Sequence, residues 1–232
     1  MRSIFSNELI VCFACLNSLS DHGCRVFLES LLSREELEKI WHFQKSEDQD
    51  RYLLAHAVLR ICLSKMTGDL SPSQWQFTET LLGKPEIKTH PIHFNLSHAG
   101  HCIALCFSLS HECGIDIEPD RQVDDLQLLK QICCLPEELD RIGSNHRHFL
   151  QLWTGKEACL KALGTGFSYP PDRLLLAGHS GIFLDRVGTE RKQAHFHYSF
   201  LEGIHTTVAW IPNDAEPEIL IQPLLTFENL LA

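Results

Sequence analysis

Two acidic residues alternate with isoleucines in the segment Gly114-Ile115-Asp116-Ile117-Glu118-Pro119. In a β-strand, successive side chains point to opposite faces, so Asp116 and Glu118 would share one face with their Cα atoms about 7 Å apart. Two carboxylates at this spacing can bind one hard cation such as Mg²⁺. The solvated face of an edge strand shows the same alternation, so this segment alone leaves both interpretations open.

A second segment adds a third carboxylate and a lysine. Residues 153–161 read Trp-Thr-Gly-Lys-Glu-Ala-Cys-Leu-Lys, and on a helix Trp153, Glu157 and Lys161 would share one face. Glu157 could then complete the cation site, with Lys161 one turn away in a position to bind phosphate. An ordinary ion pair between residues four apart explains Glu157 and Lys161 as well. Lys156 lies off this face and is interpreted as a supporting or surface charge.

Two turns offer groups that can bind anions. Phe94-Asn95-Leu96-Ser97-His98 runs along a predicted strand into a turn, where the Ser97 hydroxyl and the His98 imidazole can meet an anion. A serine hydrolase is not indicated, because G-x-S-x-G is absent and adjacent strand side chains point to opposite faces. Gly83-Lys84-Pro85 predicts a turn that presents one lysine, without the glycine-rich run of a Walker loop. Lys39 and Arg51 are further cations on predicted helices. Each is also explained as an ordinary surface charge.

Composition excludes several classes of protein. The 232 residues are 44% hydrophobic and 22% charged, which is enough apolar material for a globular core. No apolar run reaches the roughly 18 residues of a membrane span, and the first residues lack the apolar region of a signal peptide. A net charge of −10 argues against a nucleic-acid-coating protein. The ten cysteines form no disulfide framework and no pair of zinc-binding motifs. Together with the negative net charge, these features predict an acidic, cytoplasmic protein.

The chain contains an internal repeat with an offset of 102 residues. The matching pairs are Glu35–Ile40 with Glu137–Ile142, His93-Phe94 with His195-Phe196, and Ser97 with Ser199. Each copy begins with an acidic helix start, where Ser33 and Glu36 suit a capping box and Pro136 suits the first helical position. A longer helix follows in each copy, over about 46–66 and about 146–163, and strands with short turns come next.

This repeat predicts an α+β fold that is a pseudo-dimer of two similar α+β subdomains with antiparallel sheets. We predict an N-terminal half over residues 1–110 and a C-terminal half over residues 111–232, with the boundary near Ser108–Glu112. The charge differs between the halves, at −2 and −8. A pair of such units leaves a cleft between them, where we expect the active site.

The order and spacing of the four segments resemble the Sfp-type 4′-phosphopantetheinyl transferases over nearly the whole chain. The resemblance implies a holo-[carrier protein] synthase: an enzyme that transfers 4′-phosphopantetheine from coenzyme A to a serine of a carrier protein. It implies Mg²⁺ as cofactor and 3′,5′-adenosine diphosphate as the leaving product. The partner would be an apo acyl, polyketide or peptidyl carrier protein, with no nucleic acid or membrane involved. Because two fused copies already form a cleft, we predict a monomer.

The resemblance also implies roles for individual residues. The metal ligands would be Asp116, Glu118 and Glu157, and the catalytic residues would be Glu157 and Lys161. The coenzyme A-binding set would be Lys39, Arg51, Lys84, Pro85, Ser97, His98, Asp116, Lys156 and Lys161. Glu157 would accept the serine proton directly or through a magnesium-bound water, and the sequence leaves both routes open. The carrier would dock on about residues 164–196, which include Gly164-Thr165-Gly166-Phe167 and the local basic residue Arg173.

Two other functions use the same residues. A magnesium-dependent phosphohydrolase or nucleotidyl transferase would need the carboxylates and Lys161, but it leaves the Ser97-His98 turn and the repeat unexplained. Release of phosphate from nucleotides without a carrier would favour it. A non-catalytic coenzyme A-binding module would bind coenzyme A tightly and transfer nothing to any carrier.

Overall fold

A computed structural model describes residues 4–15, 22–87, 89–123, 131–143, 145–187 and 190–225. The helices are α1 (His22–Glu29), α2 (Arg34–His42), α3 (Ser46–Thr67), α4 (Pro136–Ile142) and α5 (His146–Leu163). Short 3₁₀ turns cover Pro72–Gln74, Gly166–Ser168 and Pro171–Arg173. The first strands are β1 (Glu8–Cys15), β2 (Thr78–Glu79), β3 (Pro85–Glu86), β4 (His93–Ala99), β5 (Cys102–Ser108) and β6 (Cys113–Pro119). The later strands are β7 (Leu174–Ala177), β8 (Ser180–Val187), β9 (Glu190–Leu201), β10 (Ile204–Trp210) and β11 (Glu218–Ile221).

The strands form two larger sheets with the same central topology. The first has the order β11-β1-β5-β4 and the second the order β6-β10-β9-β8-β7. The order β1-β5-β4 therefore recurs as β6-β10-β9, with antiparallel pairing in both copies. This duplication confirms the predicted α+β pseudo-dimer. β11 pairs parallel to β1, so the C-terminal part of the chain adds a strand to the first sheet, and the division at residues 110 and 111 stays a prediction.

The long helices begin and end close to their predicted bounds. Ser33 accepts a hydrogen bond from the Glu36 backbone N–H, and the Glu36 carboxylate accepts one from the Ser33 N–H, so α2 begins with the predicted capping box. Gly164 ends α5 with a φ of +76°, a left-handed conformation that glycine adopts without steric cost. No helix in the described ranges combines the length and apolar character needed to cross a membrane.

An apolar layer joins the two sheets and holds the halves together. It is formed by inward-facing side chains of β1 and β5 from the first sheet and of β6 and β10 from the second. Its buried members include Leu9, Val11, Ala104, Cys106, Ile115, Ile117, Val208 and Trp210. Burying one such large side chain contributes about 1.5–3 kcal/mol, so this layer fixes the relative position of the halves.

Gly114 lets β6 approach α5 more closely than any side chain would permit. A Cβ at Gly114 would lie 2.2 Å from the carbonyl oxygen of Ala158 and 2.3 Å from the amide nitrogen of Ala162. We expect Gly114→Ala to destabilise the protein by about 3 kcal/mol or more, because backbone atoms must move apart. Gly155→Ala in α5 is the matched control, since its Cβ meets the flexible end of Leu176. Denaturant unfolding of both variants would measure the difference; equal stabilities would contradict the expectation.

Candidate active site

The carboxylate of Asp116 is the centre of a buried group of polar contacts between the halves. Its Oδ1 lies 2.6 Å from the Lys161 Nζ and accepts a hydrogen bond of 2.9 Å from the Ser97 Oγ. The Lys161 ammonium also donates to the carbonyl oxygen of Ile115 at 3.2 Å. The structure thus brings together three predicted site residues, with Ser97 from the first sheet and the other two from the second half.

One face of α5 lies against the acidic face of β6. Trp153 helps to hold down the pKa of the Glu118 carboxyl, and Lys161 pairs with Asp116, so Glu157 lies between these two interactions along the helix. Burial raises the pKa of Glu157 to about 7; the Lys161 charge opposes this, and the charges of Asp116 and Glu118 add to it. Burial also raises the pKa of Glu118. Three carboxylates therefore share a poorly hydrated region where a cation would relieve their repulsion.

The donor set of this region fits a magnesium ion. Within the described ranges, no three Asp, Glu, His or Cys side chains are already arranged around a common metal position. Asp116 Oδ2 is buried and has no hydrogen-bond partner among the described residues, although such an oxygen normally has one. Carboxylate oxygens are the ligands that Mg²⁺ prefers, and this oxygen still lacks a partner. The residues that would hold the ion are Asp116, Glu118 and Glu157.

Side chains of β4 fasten the first sheet to β6 beside the site. The Asn95 Oδ1 accepts a hydrogen bond of 3.0 Å from the Ile115 N–H, and the Ser97 Oγ accepts one of 3.4 Å from the Ile117 N–H. Both strands lie at the edges of their sheets, so these side chains replace ladder hydrogen bonds between them. Sequence reasoning missed this role of Asn95; its alternation with Ser97 on one strand face is the pattern that points to it.

Matches to two family models and to a known protein place this chain in a family. A family model described as 4′-phosphopantetheinyl transferase, N-terminal, matches residues 23–110, and the model of the 4′-phosphopantetheinyl transferase superfamily matches residues 112–209. The 4′-phosphopantetheinyl transferase Sfp of Bacillus subtilis is 32% identical over 155 residues, which are 65% of this chain and 68% of that protein. The chain belongs to the 4′-phosphopantetheinyl transferase family.

Further relatives agree with this assignment. The 4′-phosphopantetheinyl transferase ffp of Bacillus subtilis is 32% identical over 174 residues, which are 72% of this chain and 75% of that protein. A Synechocystis protein named for the same enzyme class is 33% identical over 148 residues, which are 60% of each chain. The alignment thus spans somewhat less than two thirds of the Synechocystis relative. The resemblance and the enzyme class predicted from the sequence are confirmed.

His98 lies close enough to Arg51 and Lys161 for their charges to affect its pKa. His98 is exposed at the end of β4, next to the inward-facing Ser97, so the predicted alternation of these side chains is confirmed. Partial burial of the imidazole lowers the pKa of His98, and the positive charges of Arg51 and Lys161 lower it further. Arg51 is itself 2.8 Å from Asp48. The lowered pKa favours the neutral imidazole, so the positive charges beside the carboxylates are those of Arg51 and Lys161.

Lys84 connects the first half of the transferase to the second. It follows Gly83, which has a φ of +84°, in the turn between β2 and β3. Its Nζ donates to the carbonyl oxygens of Cys113 at 3.1 Å and Ala162 at 3.0 Å, near the beginning of β6 and the end of α5. Because these bonds use two of three N–H donors, one remains for a ligand. Lys84 and Pro85 also line a cavity of about 760 Å³.

Two other lysines that were predicted to bind coenzyme A, Lys39 and Lys156, do not contact Asp116. Lys39 is 61% exposed on α2 and lies 3.7 Å from Glu79. The Lys156 ammonium is buried and donates to the Glu138 carboxylate at 3.0 Å and to the carbonyl oxygens of Ile132 and Pro171. All three donors of Lys156 are therefore used within the protein, and its assignment to the coenzyme A-binding set stays a prediction.

Proposed function

We propose that this protein transfers the 4′-phosphopantetheine group from coenzyme A to a serine hydroxyl of an apo carrier protein, with Mg²⁺ as cofactor and 3′,5′-adenosine diphosphate as product. The observation that carries this proposal is the position of Asp116 between Lys161 and Ser97, with its second oxygen buried and available for a cation. Membership of the transferase family supplies the substrate class.

The reaction is a phosphoryl-type displacement at the β-phosphorus of the coenzyme A diphosphate. The carrier serine oxygen forms a bond to this phosphorus, and the bond to the oxygen of 3′,5′-adenosine diphosphate breaks. A magnesium ion, when bound, would neutralise diphosphate charge and polarise the phosphorus. Lys161 adds positive charge next to the same oxygens. Glu157, on the same helical face, is our candidate acceptor for the serine proton.

Coenzyme A would bind across the two halves, with its phosphates against the cations beside the carboxylates. Arg51 and Lys161 supply positive charge, His98 supplies an imidazole that can form a hydrogen bond, and Lys84 has one N–H donor left for the ligand. Ser97 contributes its hydroxyl, which is already positioned by Asp116. We retain Pro85 and Lys39 in this set as proposals.

The carrier, the compartment and the oligomeric state are also proposals. We propose an acyl, polyketide or peptidyl carrier as the protein substrate and a monomeric enzyme. All ten cysteines are free thiols, which supports a reducing compartment such as the cytoplasm.

Intact-mass spectrometry of an apo carrier protein tests the proposed reaction. The carrier is incubated with this protein, coenzyme A and Mg²⁺, and parallel samples contain a chelator or the Glu157→Ala variant. We expect the mass of one phosphopantetheine to appear on the carrier serine and to be absent from both parallel samples. No mass gain on acyl, polyketide and peptidyl carriers, with coenzyme A bound to folded protein, would refute transfer and favour a binding module.

If the carrier docks on residues 164–196, substitutions of exposed residues in this segment should weaken carrier binding and leave coenzyme A binding unchanged. Residues 188 and 189 of the segment lie outside the described ranges. Phe167 is 62% exposed, and its ring centroid lies 6.1 Å from that of Trp153, beside the metal site. We expect Phe167→Ala to raise the KM for carrier about tenfold, because an exposed aromatic anchor contributes at least 1.4 kcal/mol. Arg173→Ala should have a smaller effect of the same kind.

Steady-state kinetics with carrier and coenzyme A varied separately measures this effect. The KM for coenzyme A should stay unchanged. Val26→Ala, which shortens another exposed apolar side chain on α1, serves as the control. Unchanged carrier KM in both the Phe167 and Arg173 variants would place the docking surface elsewhere.

A further inference from the structure

Asp120 forms hydrogen bonds with three separate parts of the second half. It directly follows β6, and its backbone N–H donates to the carbonyl oxygen of Gly203 in the β9–β10 turn at 2.8 Å. Its Oδ1 lies 3.0 Å from the His146 Nε2 and 3.3 Å from the His205 Nε2. Its Oδ2 accepts from the Arg147 Nε at 3.0 Å, and the second guanidinium contact is 2.8 Å.

The partners of Asp120 are themselves fixed by packing. His205 is fully buried, and its Nδ1 lies 2.7 Å from the Tyr198 hydroxyl, which sets the orientation of the imidazole. The Arg147 guanidinium lies over the Phe200 ring at 5.1 Å. Because His205 and Arg147 each have a second contact, these two partners hold the Asp120 carboxylate in one position.

These contacts connect the two elements that carry the metal-binding carboxylates. Glu118 lies two residues before Asp120 on β6 and is paired in register with His205 of β10. His146 and Arg147 form the first turn of α5, the helix on which Glu157 lies. Asp120 therefore ties the end of β6 to the start of α5 and to β10, outside the three carboxylates themselves.

We propose that Asp120 is a positioning residue that sets the distance between Glu118 and Glu157 and so determines how tightly this protein binds Mg²⁺. This inference rests on the proposed magnesium site. Asp120 does not contact the ion; it acts through the backbone of β6 and the first turn of α5. Groups that orient metal ligands from outside the first coordination layer typically change metal affinity by 10–100-fold when they are replaced.

Calorimetric titration of the full chain with Mg²⁺ tests the proposal. Asp120→Asn removes the negative charge that Arg147 contacts and turns one oxygen into an amide group that donates, so the Arg147 contact weakens and both histidine contacts keep their geometry only if each Nε2 accepts. We expect the Kd for Mg²⁺ to rise about tenfold or more, and transfer activity to return when Mg²⁺ is raised in proportion. His205→Phe keeps a buried ring and removes one of the Asp120 contacts together with the contact to Tyr198, so it should raise the Kd by a smaller factor. Asp69→Asn, at a 63% exposed side chain of the first half, is the control.

The outcomes separate this inference from the proposed function. A lower thermal midpoint with an unchanged Kd for Mg²⁺ in both Asp120→Asn and His205→Phe would overturn the inference and leave Asp120 with a structural role alone. Absence of Mg²⁺ binding to the unaltered chain would overturn the magnesium assignment and this inference with it. Weaker Mg²⁺ binding that extra Mg²⁺ corrects would support both.

Discussion

Replacing Asp116 with asparagine is expected to slow phosphopantetheine transfer about 10³-fold while the protein stays folded. The substitution keeps the size of the side chain and an oxygen that Ser97 and Lys161 can still contact. It removes the negative charge on the oxygen that has no partner. Losing one charged metal ligand removes several kcal/mol of charge stabilisation in the transition state, and about 4 kcal/mol corresponds to 10³ in rate.

Single-turnover transfer to an apo carrier, followed by intact mass, would measure the rate for Asp116→Asn. Thermal unfolding and circular dichroism should resemble those of the unaltered chain, because the contacts of the retained oxygen persist. Asp140→Asn, at an exposed acid on α4, makes the same chemical change outside the site and should transfer normally. A rate within tenfold of normal for Asp116→Asn would show that this carboxylate is not a metal ligand.

The central part of this site could be predicted because it depends on local periodicity. Asp116 and Glu118 share a face because strand side chains alternate, and Trp153, Glu157 and Lys161 share a face because they are four residues apart. Each of these relations holds within one element, so the sequence contains it before the chain folds. The repeat likewise predicted two similar α+β halves with antiparallel sheets, since both copies keep the same succession of helices and strands.

The remaining contacts depend on which elements meet in the folded protein. Parallel pairing of β11 with β1 joins residues about 210 positions apart, and no local pattern near Glu218–Ile221 specifies that partner. Asn95 and Lys84 form hydrogen bonds with backbone groups of other elements. Every residue has such backbone groups, so no sequence pattern marks the ones that are bound. Asp120 belongs to the same class, because its partners come from α5 and β10.

The position of Lys156 in its motif suggests one role, and its surroundings in the folded protein suggest another. Family resemblance places it in the coenzyme A-binding set, one residue from Glu157. The structure buries its ammonium, with 1% of the side chain exposed, against Glu138, with 4% exposed. The carboxylate of Glu138 is also bound by the Cys134 and Leu176 N–H groups, so the pair lies at the centre of a buried polar network between α4, α5 and β7.

Lys156→Met is therefore expected to destabilise the protein by about 3–5 kcal/mol, the loss found when one partner of a buried ion pair is removed. For a chain of this size, that corresponds to a thermal midpoint lower by about 10 °C. The same substitution at the exposed Lys39 should change stability by less than about 0.5 kcal/mol. Combining Lys156→Met with Glu138→Gln should cost less than the sum of the single changes, because the two side chains interact directly.

Coenzyme A binding separates the structural role of Lys156 from its predicted role in the ligand site. Because its three donors are used by Glu138 and two carbonyl oxygens, folded Lys156→Met should bind coenzyme A with unchanged affinity at a temperature well below its midpoint. Calorimetry at that temperature would measure the affinity directly. Normal stability together with weakened coenzyme A binding would mean that the ammonium leaves Glu138 for the coenzyme, and the buried network would then be a feature of the ligand-free protein.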